Sequence, residues 1–413
     1  MIDSGSIGIL FELLLMLLVG KVLGDIVHRL GFSPLIGQII AGIILGPMVL
    51  QMVGLSWQLS DLSDLGIMFM MFLMGLSVDF EKLMRENVYK ASFISICGGL
   101  LTFLSATIVT YLLGFEINTA MLVGISFIST STAVGFMVLT DIGDNYSNVF
   151  KTIMAVGTTD DILAMLALSM FLIYLGVTSA QSISGTGIQS VVTLFLVVLG
   201  FIVLVLWFGR PISEKLINWT VNSSNEQSVV SLSLIILFLV AFLSQNIGLS
   251  YVTGAFLAGT VLARSQFSFK IITPKIESIS EGFFVPLFFV YTGVRIDITQ
   301  MVSSTPLNMY FVNIPIDVFL FLGLLMAVMT SKYLATYVAG WMIGDYRHDE
   351  MNKMGLVMTP MGEYTLVIGL YGVTQLGSKL YGISSIYSVL ALIVLVTSIL
   401  TPVLLRVAYE SRG

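Results

Sequence analysis

Val156-Gly-Thr-Thr-Asp-Asp-Ile-Leu-Ala-Met165 sets two adjacent carboxylates, Asp160 and Asp161, in the middle of a long apolar run. A charge at the centre of a bilayer costs about 2.5 to 3.5 kcal/mol on insertion scales, so acids at that depth mark a functional site with a partner elsewhere in the chain. Composition says that the run lies in a bilayer. The 413 residues are 57% hydrophobic and 10% charged, with a mean hydropathy of +1.00, which is the profile of an integral membrane protein. The net charge of -6 comes with no basic tract, so nothing points to nucleic acid. A single cysteine, Cys97, excludes an intrachain disulfide and a cysteine metal cluster. The start, Met1-Ile-Asp-Ser-Gly, has neither a basic n-region nor a small-residue cleavage site, so the first apolar run is expected to stay as a helix.

Outward from the aspartate pair, polar, glycine, proline and charge clusters cut the chain into thirteen apolar segments of spanning length. They fall near 7–29, 34–54, 62–81, 90–114, 118–141, 148–176, 186–208, 225–246, 250–266, 280–298, 310–343, 350–378 and 383–409. Alternate connections carry nearly all the cations: Arg29; Lys82, Arg85 and Lys90; Lys151; Arg210 and Lys215; Arg264, Lys270 and Lys275; Arg347 and Lys353; Arg406 and Arg412. The opposite connections carry only Lys379, with Arg295 near a segment end. Positive-inside then puts the N-terminus outside and the C-terminus in the cytoplasm. Arg210 to Thr220 and Phe80 to Asn87 read as interfacial pieces whose cations suit an anionic leaflet.

The chain also repeats itself. Gly37, Ala41 and Gly42 of the second segment recur as Gly254, Ala258 and Gly259 of the ninth, 217 residues on. Gly75-Leu-Ser-Val-Asp79 of the third is echoed 218 residues on by Gly293-Val-Arg-Ile-Asp297 of the tenth. An offset of seven segments is odd, so the two halves are inverted across the membrane, an architecture of secondary transporters. The expected fold is therefore an all-α polytopic membrane protein with a six-plus-six inverted repeat: residues 1–178 as the first repeat, 179–224 as connector and interfacial segment, and 225–413 as the second. The whole chain, 1–413, forms one transport unit.

Two segments at corresponding positions of these halves carry weak points. The fifth holds Ser129-Thr-Ser-Thr-Ala-Val-Gly135, where hydroxyls compete for backbone hydrogen bonds. The twelfth holds Thr359-Pro-Met-Gly-Glu363, where proline removes a donor. Paired interruptions point to a midplane site lined by freed backbone groups. Near that depth stand Asp160, Asp161, Glu363 and, in Thr330-Ser-Lys-Tyr-Leu334, Lys332. A buried ammonium facing two carboxylates makes an ion pair with one acid to spare, and such a trio can exchange protons as a cation comes and goes. Thr159 joins Glu363 as expected lining. Asp25, Asp79 and Asp297 lie near segment ends, where capping or snorkelling is expected, and His28 and His348 fall at the cytoplasmic side.

On these residues the chain resembles the monovalent cation:proton antiporters of the second group, which include bacterial sodium/proton antiporters and the glutathione-gated potassium efflux systems. The motifs are Gly31-Phe-Ser-Pro-Leu-Ile-Gly-Gln-Ile-Ile-Ala-Gly-Ile-Ile-Leu-Gly-Pro47, Leu65-Gly-Ile-Met-Phe-Met-Met-Phe-Leu-Met-Gly75, the Asp160-Asp161 pair and Lys332. The resemblance implies that Asp161 carries cation and proton, that Asp160 pairs with Lys332 when sodium is absent, and that Ser131 and Thr132 line the site. It further implies elevator-like alternating access, a homodimer in a prokaryotic cell membrane, and monovalent cations and protons as substrates with no cofactor. An Asp-Asp pair with a lysine resembles the sodium-selective, electrogenic members; potassium/proton exchange stays open, as, more distantly, does sodium-coupled organic anion symport. Two departures stand out. Met361 occupies a position where many members have arginine, and the chain ends at Gly413 without the nucleotide-binding domain of the potassium efflux branch.

A retinal protein also uses a buried lysine with acidic counter-ions, but its seven helices do not match thirteen segments. An aspartyl protease needs its two acids on different helices. No enzymatic activity is expected.

Overall fold

The computed structural model describes residues 4–77, 88–131, 134, 139, 148–175, 200–201, 204–205, 207–209, 211–217, 226–247, 251–263, 265, 267–297, 299, 306–309, 312–376 and 383–410. Its helices are α1 (Ser4–Arg29), α2 (Pro34–Leu45), α3 (Trp57–Ser77), α4 (Val88–Leu112), α5 (Ile117–Ser126), α6 (Asn148–Tyr174), α7 (Glu226–Ile247) and α8 (Tyr251–Ala263). They continue as α9 (Thr273–Ile279), α10 (Val285–Val294), α11 (Ile316–Ile343), α12 (His348–Val357), α13 (Glu363–Leu376) and α14 (Ile383–Glu410). Among the described residues, six helices are long and apolar enough to cross a membrane, within α3, α4, α6, α7, α11 and α14. The seventh expected segment and the interfacial piece at 80–87 lie largely or wholly outside the described residues.

Local chemistry sets the helix ends. α1 closes on Gly31, whose positive φ of 82° lets Phe32 N–H reach back to Val27 O at 3.2 Å, the left-handed cap that glycine allows without a Cβ clash. α2 opens with Pro34 in its first turn, where the missing N–H costs nothing. It stops at Leu45, short of the expected 54, because Gly46-Pro47 follows and proline cannot continue the ladder. α12 opens on a capping box in which Arg347 N–H donates to Glu350 Oε2 at 2.8 Å. One feature departs from an all-helical chain among the described residues: an antiparallel hairpin, β1 (Pro306–Met309) with β2 (Val312–Pro315), in the connection before α11. Pro306 and Pro315 face each other at its open end, where neither can donate a backbone hydrogen bond.

The chain gathers into two compact units, each assembled from separate stretches of sequence. The first comprises Met1–Leu55, Leu83–Ala164 and Phe289–Gly413. In it α2 crosses the end of α10 at Gly42 and Gly293, where a Cβ on Gly42 would lie 2.8 Å from the Gly293 Cα and one on Gly293 would lie 2.9 Å from the Gly42 Cα. α4 packs along α11, and Lys90 at the start of α4 pairs with Asp345 just past the end of α11. The second unit comprises Ser56–Lys82 and Met165–Phe288. Here α8 crosses α3 at Gly259 and Gly75, each hypothetical Cβ falling 2.8 to 2.9 Å from the other glycine's Cα. Hydrophobicity gives no preference for one apolar neighbour over another inside a lipid bilayer, so close backbone approach at small residues supplies the packing energy.

Candidate ion site

Among the described residues, the hydrogen-bond and ion-pair partners of the aspartate pair, Ser95, Ser129, Thr130 and Lys332, belong to the first unit. Both interrupted helices are present there. α5 ends at Ser126, α12 ends at Val357, and the extended stretches that follow meet at an antiparallel bridge between Thr130 and Met361. Ser131 N–H donates to Pro360 O at 2.9 Å, and Thr365 Oγ1 donates to Ser126 O at 2.8 Å. From α14, Thr397 Oγ1 accepts from Met361 N–H at 3.1 Å. Gly362 fits because its neighbour is backbone: a Cβ there would meet Ser131 N and Thr130 C at 3.1 Å. Side-chain hydroxyls thus satisfy backbone groups that the breaks release, which is how non-helical chain survives at membrane depth.

Consecutive residues on a helix point about 100° apart, and α6 uses that to give its two acids different surroundings. Asp160 is 0% exposed. Its Oδ1 accepts from Ser95 Oγ of α4 at 2.5 Å, and its Oδ2 accepts from Thr130 Oγ1 at 2.8 Å and pairs with Lys332 Nζ at 2.8 Å. Lys332, on α11, is 1% exposed and also donates to Ile128 O at 2.5 Å. Gly98 of α4 lies alongside this lysine, where a Cβ would meet its Cδ, Cε and Nζ at an ordinary contact distance of 3.8 Å. Asp161 is only partly buried, and its Oδ1 accepts from Ser129 Oγ at 2.6 Å.

The remaining expected residues take varied places. Glu363 opens α13, half-buried, near enough for its charge to act on Asp161. Ser131 is buried, but its hydroxyl has no hydrogen-bond partner among the described residues. Thr159 bonds back to Ala155 O of its own helix at 2.7 Å, away from the carboxylates. Thr132 lies outside the described residues. The hydroxyls that do reach the acids, Ser129, Thr130 and Ser95, went unselected in the sequence. Two of them sit inside the flagged Ser-Thr run. Ser95 gave one faint signal, a hydroxyl beside Gly98 on an apolar helix.

Two carboxylates, one ammonium and a set of hydroxyl and backbone oxygens at the meeting of two broken helices can bind a small cation and exchange protons. Residues 13–407 match the family model described as "Sodium/hydrogen exchanger, transmembrane". The chain belongs to that family of monovalent cation:proton antiporters. This exchanger is 27% identical over 402 residues to the Na(+)/H(+)-K(+) antiporter GerN of Bacillus cereus, covering 97% of its own length and 96% of that relative. It is 28% identical over 365 residues to the probable Na(+)/H(+) antiporter GerT of the same organism, covering 88% and 90%. Similarity to the glutathione-regulated potassium-efflux protein KefC of Escherichia coli O81 (strain ED1a) runs over 280 residues at 29% identity, 67% of the exchanger but 43% of KefC. Among solved structures, the sodium proton antiporter MjNhaP1 of Methanocaldococcus jannaschii at pH 8 shares the fold. Its TM-score is 0.72 at 16% identity, over 98% of the exchanger and 97% of that chain.

Proposed function

We propose that this exchanger moves sodium, or lithium, against protons across a prokaryotic cell membrane, electrogenically and without a cofactor. Asp161 takes cation and proton in turn, while Asp160 and Lys332 form an ion pair that opens as the cation arrives. The observation that carries this reading is the unequal provision of the two acids. Asp160 is fully buried and accepts from two hydroxyls and an ammonium, whereas the partly exposed Asp161, among the described residues, accepts from the Ser129 hydroxyl. A carboxylate already holding three donors has little lone-pair capacity left for a cation. Asp161 keeps that capacity. With Asp160 neutralised by Lys332, Asp161 supplies the single negative charge that suits either one monovalent cation or one proton. Ser129 and the carbonyls released by the two interruptions supply further oxygen ligands, with Glu363 adding negative potential nearby. If the arriving cation draws Asp160 away from Lys332, the ammonium sheds a proton too, and two protons leave per cation.

The inverted repeat of 1–178 and 225–413, joined by 179–224, is supported by the reciprocal glycine contacts: Gly42 meets Gly293, and their counterparts Gly259 and Gly75 meet each other. Elevator-like alternating access, a homodimer, an outside N-terminus and a cytoplasmic C-terminus complete the proposal. Potassium/proton exchange is the second reading, favoured by the potassium in the names of GerN and KefC. A pH-dye assay in proteoliposomes, with sodium, lithium and potassium pulses under a clamped potential, tests both. Sodium and lithium are expected to drive proton release with net charge movement. A response to potassium alone, or none to any cation, would sink the primary reading.

A further inference from the structure

Two buried hydroxyls beside the aspartate pair have no hydrogen-bond partner among the described residues: Tyr364 OH and Ser131 Oγ. Both residues are 1% exposed. Tyr364 is the second residue of α13, and its neighbours hold that turn in place. Thr365 Oγ1 donates to Ser126 O at 2.8 Å, and Gly362 lies against the backbone of Thr130 and Ser131. Tyr364 stands close enough to Asp161 and Glu363 for both charges to act on its hydroxyl, yet it hydrogen-bonds to neither. Ser131 reaches the same side. Thr130 is extended where it bridges to Met361, so the residues flanking it project to the opposite face. Thr130 bonds Asp160 and Ser129 bonds Asp161, which puts Ser131 on the Asp161 side.

A buried hydroxyl left unpaired is costly, and native proteins rarely tolerate one without a ligand or an ordered water. The charges nearby choose between ligands. Two carboxylates repel an anion and draw a cation, and a hydroxyl offers a cation two lone pairs. We propose that the Tyr364 phenol oxygen, with Ser131 Oγ beside it, is a ligand of the monovalent cation held at Asp161. This assignment rests on Asp161 as the cation carrier and adds a specificity-determining residue to that site. Each neutral oxygen is worth more to a smaller cation, because the attraction rises as the separation falls. Tyr364 therefore favours lithium and sodium over potassium.

The test measures half-saturating cation concentration and maximal rate of exchange in proteoliposomes for wild type, Tyr364→Phe and Asp161→Asn, at the alkaline end of the working range, where protons compete least. Tyr364→Phe keeps the ring and removes only the hydroxyl. It should raise the half-saturating sodium concentration about tenfold, the size expected for losing one bond to a charged group. The rise for potassium should be smaller, and the maximal rate should stay near wild type. An unchanged half-saturating concentration, or a fall in maximal rate alone, overturns the proposal and leaves the tyrosine a packing role. Should Tyr364→Phe fail to fold, Ser131→Ala carries the same expected rise and the same refutation. Asp161→Asn separates the two levels of the argument. Exchange retained in that variant refutes the carrier and Tyr364 with it, whereas exchange lost there, with wild-type affinity in Tyr364→Phe, refutes Tyr364 alone.

Discussion

Neutralising either member of the Asp160 and Lys332 pair tests whether they act as one unit. Asp160→Asn leaves the Lys332 ammonium, 1% exposed, with the Ile128 carbonyl in place of a carboxylate. Lys332→Met leaves the Asp160 carboxylate, 0% exposed, with the hydroxyls of Ser95 and Thr130. Breaking a buried pair by removing one partner costs about 3 to 5 kcal/mol, since it strands a charge, whereas replacing both partners by neutral groups is often close to neutral. The two single losses should be similar, because the ammonium keeps the Ile128 carbonyl and the asparagine amide oxygen as acceptors while the stranded carboxylate keeps two hydroxyl donors. The double variant should then be more stable than the sum of the two losses by several kcal/mol, a coupling that a double-mutant cycle reads directly. Denaturant unfolding followed by tryptophan fluorescence, in one detergent at one pH, supplies the four stabilities. Additive losses would refute the buried pair.

Other predictions follow from single contacts. Thr130→Val removes a hydroxyl donor to Asp160 while leaving the backbone bridge to Met361 in place, and is expected to lower stability by about 1.5 to 3 kcal/mol and to slow exchange, measured by melting and by the dye assay. Ser129→Ala removes the hydroxyl donor to Asp161 and should weaken cation affinity about tenfold, the equivalent of about 1.4 kcal/mol, read as the half-saturating sodium concentration with folding intact. Gly42→Val forces a side chain into the Gly293 backbone. It should abolish monodisperse expression on size-exclusion chromatography, while Gly8→Val, where a Cβ meets nothing within 4 Å, should not.

Much of the ion site was legible because charges in apolar sequence are costly and therefore few. Asp160, Asp161 and Lys332 stood out on that ground, and the structure brings Asp160 and Lys332 into contact across α6 and α11. The interruptions were legible from hydroxyls, glycine and proline, which weaken a helix by known chemistry. The glycine echoes carried more than a symmetry signal, since the matched positions turned out to be the crossing points of α2 with α10 and of α8 with α3. What stayed hidden depends on direction. Once the helix breaks after Ser126, period no longer says which hydroxyl faces which acid, so Ser129 and Thr130 could not be told from Ser131. Ser95 bonds Asp160 through a contact 65 residues away in sequence, which no local pattern encodes. The hairpin before α11 was likewise hidden inside a stretch apolar enough to pass for the start of a span.

The division of labour between the two acids is tested most directly by charge movement on a solid-supported membrane, with sodium jumps applied to proteoliposomes of wild type and Asp161→Asn at matched protein density. The wild type should give a transient current with proton counter-movement, and Asp161→Asn, folded and with the Asp160 to Lys332 pair retained, should give neither. Sodium-driven current with proton exchange in Asp161→Asn would contradict the assignment of Asp161 as the carrier.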